Sequence, residues 1–374
     1  MRKRYFFYIS MSLLIYLKPV FGHDRKNNRS IEFPDIPGSK TLVSDLHMHT
    51  VFSDGSVWPN IRVKEAQKDG LDVIAMTEHI EYQSWIDDIP HPDRNRSFEY
   101  ASSFAKNTDV LVINGSEITR EMPPGHANAI FIKDANKLLV DDPIKAYIEA
   151  RKQDAFIFWN HPYWASQSPD ASVPVDPMHL EMIKNGLLEG IEIVNDTTYS
   201  NEAFQLALDH DLTILGTSDI HELIDWQYRI PSGGHRPVTL IFAREKTSES
   251  LKKALREGKT VVWFNKKLLG KEENLLPLIN ASLSVSSASY IQNTTIVHVV
   301  LSNNSDAPYL LQNKSSYDFY NTTDLINIPP HGETILDVRT IDKKRKFIMQ
   351  FEVLNALIAP STHPIFRIQI RPKY

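Results

Sequence analysis

Thr41-Leu42-Val43-Ser44-Asp45-Leu46-His47-Met48-His49 is a short apolar run that ends in two histidines two residues apart. On a strand, period two turns both imidazoles to one face. Imidazole is the commonest nitrogen ligand for a borderline metal ion. The arrangement recurs along the chain. Short apolar runs at 42–47, 72–77, 110–114, 128–133, 155–159, 190–194, 213–217 and 238–243 read as strands. Amphipathic stretches at 61–69, 97–107, 143–153, 178–185, 202–210 and 248–257 read as the helices between them. Repeated strand–helix units predict an α/β fold with mostly parallel strands, and their number favours a barrel over an open sheet.

Seven further candidate ligands follow, and most of the nine fall at or just beyond strand ends. They are Asp54 in Ser53-Asp54-Gly55, His79 in Thr77-Glu78-His79, Glu117 in Gly115-Ser116-Glu117, and His126 after Pro123-Pro124-Gly125. His161 follows in Asn160-His161-Pro162, and Asp219 and His221 in Ser218-Asp219-Ile220-His221. A single histidine of this kind is most simply a hydrogen-bonded core residue. Nine such residues at the tips of barrel strands converge on one face, where barrel active sites sit. Oxygen and nitrogen ligands suit zinc, manganese or iron alike.

This ordered series resembles the PHP (polymerase and histidinol phosphatase) superfamily of metal-dependent phosphoesterases, over about residues 41–264. The resemblance implies a distorted (β/α)7 barrel and two or three divalent metal ions. By position it assigns His47, His49, Glu117 and Asp219 to one metal. Glu117 as a bridge, with His126 and His161, would hold a second, and Asp54, His79 and His221 a third. An exported form with a C-terminal β domain is similar to a subgroup found in Bacteroidetes-type bacteria. Asp45, on the same strand face as His47, reads equally as an orienting partner or a surface acid.

A hydroxide bridging two metals is a nucleophile at neutral pH and can displace an alcohol from phosphorus. A cationic side chain would hold the phosphoryl oxygens. Arg94, Arg96, Arg120 and Arg236 are candidates, with Arg120 the first choice because it lies three residues past Glu117. Metal-bound water, Asp219 or His221 could protonate the leaving group. Trp85, Trp159 and Trp164 read as rim packing rather than substrate stacking. The outlying histidines, His91 and His235 included, follow no ligand spacing. No HExxH, P-loop or G-x-S-x-G motif is complete.

The rest of the 374 residues frame this reading. The chain is 42% hydrophobic and 23% charged, an ordinary globular balance. A net charge of −5 lacks the basic field that polymeric nucleic acid demands. Zero cysteines exclude disulfides, thiolate nucleophiles and iron–sulfur clusters. Residues 1–22 read as a signal peptide: three early cations, an apolar run to Leu17, and a small residue at Gly22. Export to the periplasm, the cell surface or the medium is expected, with no membrane span after cleavage. Residues 23–40 read as a linker, 41–265 as the PHP-like domain, 266–274 as a charged connector and 275–374 as an antiparallel β-sandwich. Within the sandwich, strands are expected at 282–287, 295–301, 316–320, 333–338, 347–354 and 365–370.

The leading expectation is therefore an exported phosphoesterase acting on a small phosphorylated substrate, with monoesters favoured. The alternatives are a metal-dependent hydrolase of carboxylic esters or amides, and a non-catalytic surface or glycan-binding protein.

Overall fold

The computed structural model describes residues 29–373. The signal segment lies outside the described residues. Among them no helix is long and apolar enough to cross a membrane.

The first domain carries strands β1 (Lys40–Asp45), β2 (Val73–Met76), β3 (Leu111–Ile118), β4 (Ala127–Ile130), β5 (Phe156–Trp159), β6 (Gly190–Asn195), β7 (Thr198–Tyr199), β8 (Thr213–Thr217), β9 (Val238–Ala243), β10 (Thr260–Phe264) and β11 (Lys267–Leu269). Every residue of β2, β5 and β9 is buried. Such runs show no alternation because side chains are covered on both faces. Around them lie α1 (Pro59–Asp69), α2 (Arg96–Ala105), α3 (Pro143–Lys152), α4 (Pro177–Lys184), α5 (Asn201–Asp209), α6 (Ile224–Gln227) and α7 (Ser248–Arg256). Asp142, Asp176, Ser200 and Thr247 cap α3, α4, α5 and α7 through side-chain oxygens on free backbone N–H groups. Helix α1 ends at Gly70, which has φ 71° and lies so close to Ser30 that a Cβ would meet its Oγ at 2.2 Å.

The strands form one mixed, curled sheet, a distorted barrel. β1, β2 and β3 run parallel, as do β5, β6 and β8. β4 and β9 run against their neighbours. The short link from Ile118 to Ala127 explains β4, since a parallel return needs a crossover of a dozen or more residues. The sheet's path leaves a seam between β8 and the β9–β10 pair. Side chains stitch it: Thr239 Oγ1 donates to Gly216 O at 2.8 Å, and Thr260 Oγ1 donates to Ile214 O at 2.7 Å.

The second domain follows α8 (Glu272–Ser282). Its strands are β12 (Leu283–Tyr290), β13 (Ile296–Asn303), β14 (Tyr309–Asn313), β15 (Leu325–Ile328), β16 (Glu333–Arg339), β17 (Phe347–Val353), β18 (Ala356–Leu357) and β19 (Ile365–Ile370). β12-β13-β16 and β15-β14-β17-β19 make two antiparallel sheets. The expected strand at 316–320 is instead a loop with a single bridge from Phe319 to Val338. β14 and β15, on either side of it, take the sheet positions. The expected connector at 266–274 contains β11, which pairs with β10 and also, in parallel, with β18 of the second domain. One apolar core runs through both domains and includes Trp263, Leu275, Leu278, Val299 and Phe351. Residues 29–39, read as linker, are also pinned: Ile31 is buried and its N–H donates to Asp69 O at 2.8 Å.

Candidate metal centre

The parallel strands point their C-terminal ends to one side, and all nine candidate ligands come together there. Four overlapping groups share them: His49, Asp54, His79 and His221; His47, His49 and Asp219; His47, Glu117 and His161; and His79, Glu117 and His126. Glu117 ends up among five imidazoles. Its carboxylate lies 2.6 Å from His79 Nδ1, 3.1 Å from His126 Nδ1, 3.5 Å from His161 Nε2, and 3.6 Å from the Nε2 of both His47 and His49. Asp219 Oδ1 lies 3.1 Å from His47 Nε2 and from His49 Nε2. Asp54 sits 3.3 Å from His79 Nε2 and 3.2 Å from His221 Nε2.

The donor set fits metal ions. His47 Nδ1 is 2.8 Å from Glu192 Oε1, so its proton belongs there and its Nε2 lone pair faces inward. That lone pair meets His49 Nε2 at 3.1 Å, a repulsive arrangement unless a cation or a proton lies between. Glu117 Oε2 and Asp219 Oδ1 are buried without a hydrogen-bond partner. His221 Nδ1 donates to Asp219 O at 2.8 Å, which turns its Nε2 toward Asp54.

The electrostatics follow from this crowding. Burial works to raise the Glu117 pKa, but His79, His126 and His47 outweigh it and hold the group well below the usual carboxylate range. Asp219 is depressed likewise: burial is overcome by His47, His49 and His161. Burial and the neighbouring His221 and His79 push His49 down to about 4.

The framework beneath the ligands contains residues that sequence reading passed over. Glu192 accepts from His47, from Thr217 Oγ1 at 2.6 Å, and from the backbone N–H of His161 at 2.9 Å. Asn160 Nδ2 donates to Glu117 Oε1 at 2.8 Å. Glu78, quoted above only as part of a motif, accepts from Thr50 N and Oγ1, Ser53 Oγ and Ser97 Oγ, and so ties the Asp54 loop down. Arg62 in α1 donates to the carbonyls of His49, Ile220, His221 and Glu222 at 2.6 to 3.1 Å. The only sequence signal for Glu192 or Arg62 was a charge set among residues that read as buried.

Asp45 is fully buried, not a surface acid: it accepts from Ser218 N at 3.1 Å and from Arg236 Nη1 at 3.1 Å. Arg236 is buried, held between Asp45 at the end of β1 and Asp69 of α1, and is not free for substrate. Arg120, the first-choice phosphoryl clamp, is engaged by Glu81 at 2.8 Å and by the carbonyls of Val140 and Asp141. Arg96 pairs with Glu99 on the exposed face of α2. Arg94 differs from these three: its Nε and Nη1 are buried and unpartnered, in a recess it shares with His79, Glu78 and Ser116. Trp85 Nε1 donates to Gly55 O at 3.0 Å, and Trp159 is buried and stacks on His179 at 4.0 Å. Trp164 packs beside His126 and His161 with 46% of its surface exposed, at the rim of the centre. His91 packs against Phe52, and His235 stacks on Trp263.

The PHP domain family matches residues 45–320. The chain belongs to the PHP family. An Ig-like domain family matches residues 283–369, the two antiparallel sheets. The PHP chain is similar to a crystal structure from Bacteroides vulgatus ATCC 8482, a two-domain protein containing a predicted PHP-like metal-dependent phosphoesterase. The two are 38% identical, the match covers 91% of this chain and 98% of that one, and the TM-score is 0.85. PsfC from Pseudomonas syringae PB-5123 is 16% identical over 64% of this chain and 96% of its own, with a TM-score of 0.42. No curated protein matches. The chain thus has a PHP-like metal-dependent phosphoesterase fold with candidate metal-binding residues in place.

Proposed function

We propose that the protein is an exported, multinuclear metal-dependent phosphoesterase that hydrolyses a small phosphorylated metabolite, with monoesters preferred. The observation that carries this reading is the position of Glu117, a buried carboxylate shared by overlapping ligand groups. Two or three ions of zinc, manganese or iron held there would supply a water of lowered pKa and a sink for phosphoryl charge. The chain's own residues do the rest. Glu192 fixes the tautomer of His47. Arg94, whose buried Nε and Nη1 have no partner, would reach the phosphoryl oxygens by turning out of its recess beside His79. His221 Nδ1–H is committed to a backbone carbonyl, and Asp219 is held ionised. His221 Nε2 is turned to Asp54 at 3.2 Å, so both ring nitrogens are engaged and water is the proposed proton source for the leaving oxygen. The basic start and apolar run of residues 1–22 support export.

The test is phosphate release from p-nitrophenyl phosphate and bis-p-nitrophenyl phosphate, before and after removal of metal by a chelator. Release that disappears on chelation and returns with zinc, manganese or iron is expected, faster for the monoester. Activity confined to carboxylic esters, or metal binding with no hydrolysis, would replace the reading.

Arg94→Gln is expected to raise KM for phosphate esters by about ten- to a hundredfold, the scale of one charge-assisted contact. Steady-state kinetics check it, with Arg94→Lys recovering part of the loss. An unchanged KM would remove Arg94 from the substrate site.

A further inference from the structure

Beside the metal centre lies a cavity of about 390 Å³. Its walls include Thr197, Tyr228, Arg229, Gly234 and Lys266. One hydrogen bond and one short stretch of chain link its lining to the ligand Asp219. Tyr228 Oη donates to Ser218 O at 3.0 Å, next to Asp219. Thr197 is two residues from Asn195, whose amide donates to Asp219 Oδ2 at 3.3 Å.

The cavity is lined by two cations and no acid, in a chain of net charge −5. Neither Arg229 nor Lys266 has a carboxylate partner among the described residues, whereas most other arginines of this domain are paired. His235 cannot add charge: burial first, then the nearby Lys266, hold it down to about 4.

Both cations are held in an uncommon backbone conformation. Arg229 has φ 45°, and Asn265 and Lys266 have φ 46° and 63° at the β10–β11 turn. Positive φ at both 265 and 266 is what a two-residue turn between antiparallel strands requires, whereas at Arg229 it costs a non-glycine residue free energy. The surroundings enforce it. The Arg229 loop folds back so tightly that a Cβ on Gly234 would meet Tyr228 O at 1.9 Å. The Lys266 turn is gripped from the Ig-like domain, where Asn355 Nδ2 donates to Lys266 O at 2.9 Å. On the other side, Lys266 N–H donates to His235 Nε2 at 3.3 Å.

We propose that this cavity binds a second anionic group, phosphate or carboxylate, on the leaving-group end of the substrate. The Ig-like domain thereby completes the substrate site by fixing the turn that presents Lys266. The inference rests on the phosphoesterase reading and narrows its substrates to phosphate esters with a distal anion. Arg229 and Lys266 are both exposed, so their pull on such a group is that of solvent-screened cations.

The experiment compares kcat/KM for three series of equal chain length, from propyl to octyl: n-alkyl phosphates, α,ω-alkanediol bisphosphates and ω-phosphoalkanoates. A preference of about tenfold for a doubly anionic ester over its alkyl partner is expected at one length. The bisphosphate and carboxylate series show which anion fits. In the Arg229→Gln/Lys266→Gln double variant the preference ratio is expected to fall below about twofold. Phosphate release with no preference at any length, or a preference the double variant keeps, overturns the cavity's role and leaves the phosphoesterase reading standing. If no ester of any series, nor p-nitrophenyl phosphate, is hydrolysed, the phosphoesterase reading fails. Calorimetric binding of hexanediol bisphosphate then decides the cavity alone. Weaker binding to the double variant supports it, and equal binding overturns it.

Discussion

Replacing Glu117 by glutamine is expected to remove at least one equivalent of bound metal and to slow phosphate release about a thousandfold or more. Glu117 is the carboxylate common to the His47–His161 and His79–His126 groups, so one substitution weakens both. Glutamine keeps the shape and can still accept from Asn160 Nδ2, which lies 2.8 Å from Oε1. It cannot supply the negative charge that offsets bound cations, and its amide N–H would face imidazole lone pairs. The fold should survive, because β3 and its neighbours β2 and β4 are held by backbone pairing that the change leaves intact. Elemental analysis, phosphate release and a thermal melt on the same preparation make the check. His161→Ala and Asp219→Ala should follow the same pattern. Wild-type stoichiometry with wild-type turnover in Glu117→Gln would show that the carboxylate holds no ion, and the multinuclear reading would go with it.

The ligands were legible because they lie at positions local chemistry controls. His47 and His49 lie just past β1, whose direction carries them to the ligand end, while Glu117 is placed from within β3. The expected strand at 213–217 coincides with β8, and the one at 238–243 with β9. Direction was less legible. β4 and β9 look like the parallel strands in composition, and only the lengths and paths of their connections make them antiparallel. In the Ig-like domain, Tyr317, Phe319 and Tyr320 gave the 316–320 segment a β-prone composition. The sheet is built from β14 and β15, whose pairing places Leu311 opposite Ile326. Glu192 and Arg62 were illegible for a different reason. Their partners are far away in sequence: Glu192 meets His47 across 145 positions, and Arg62 reaches His221 across 159. A charge inside an apolar pattern announces that a partner exists without saying which one. The choice of arginine turns on the same point. Proximity to Glu117 favoured Arg120 along the chain, but Glu81 and two carbonyls already occupy it.

Arg62→Met should destabilise the protein by about 3–5 kcal/mol, the cost of breaking a buried pair by removing one partner. Arg62 is 1% exposed and pairs with Glu65, itself buried, at 2.8 Å. Its guanidinium spans two loops: Nε donates to His49 O, and Nη1 and Nη2 reach the carbonyls of Glu222, Ile220 and His221. Methionine fills much of the volume, so the loss comes from unmet acceptors rather than from a void. The acceptors are not equally exposed to that loss. Ile220 O still receives His49 N–H at 3.0 Å and His221 O still receives Ser56 N–H at 2.9 Å. Glu65 keeps the Ile224 N–H at 2.9 Å but loses its ion-pair partner. The loops that loosen are those carrying His49, Asp219 and His221. Urea unfolding of the metal-free protein should therefore show the lower stability, and metal titration should show weaker binding in the His49, Asp54, His79 and His221 group. Arg62→Lys should recover less than half of the stability, because a single ammonium cannot reach four carbonyls arranged for a planar fork. Equal stability of Arg62→Met and the wild type would mean that these carbonyls find water instead. The arginine would then be a helix residue like any other, and the two ligand loops would owe their approach to the barrel strands alone.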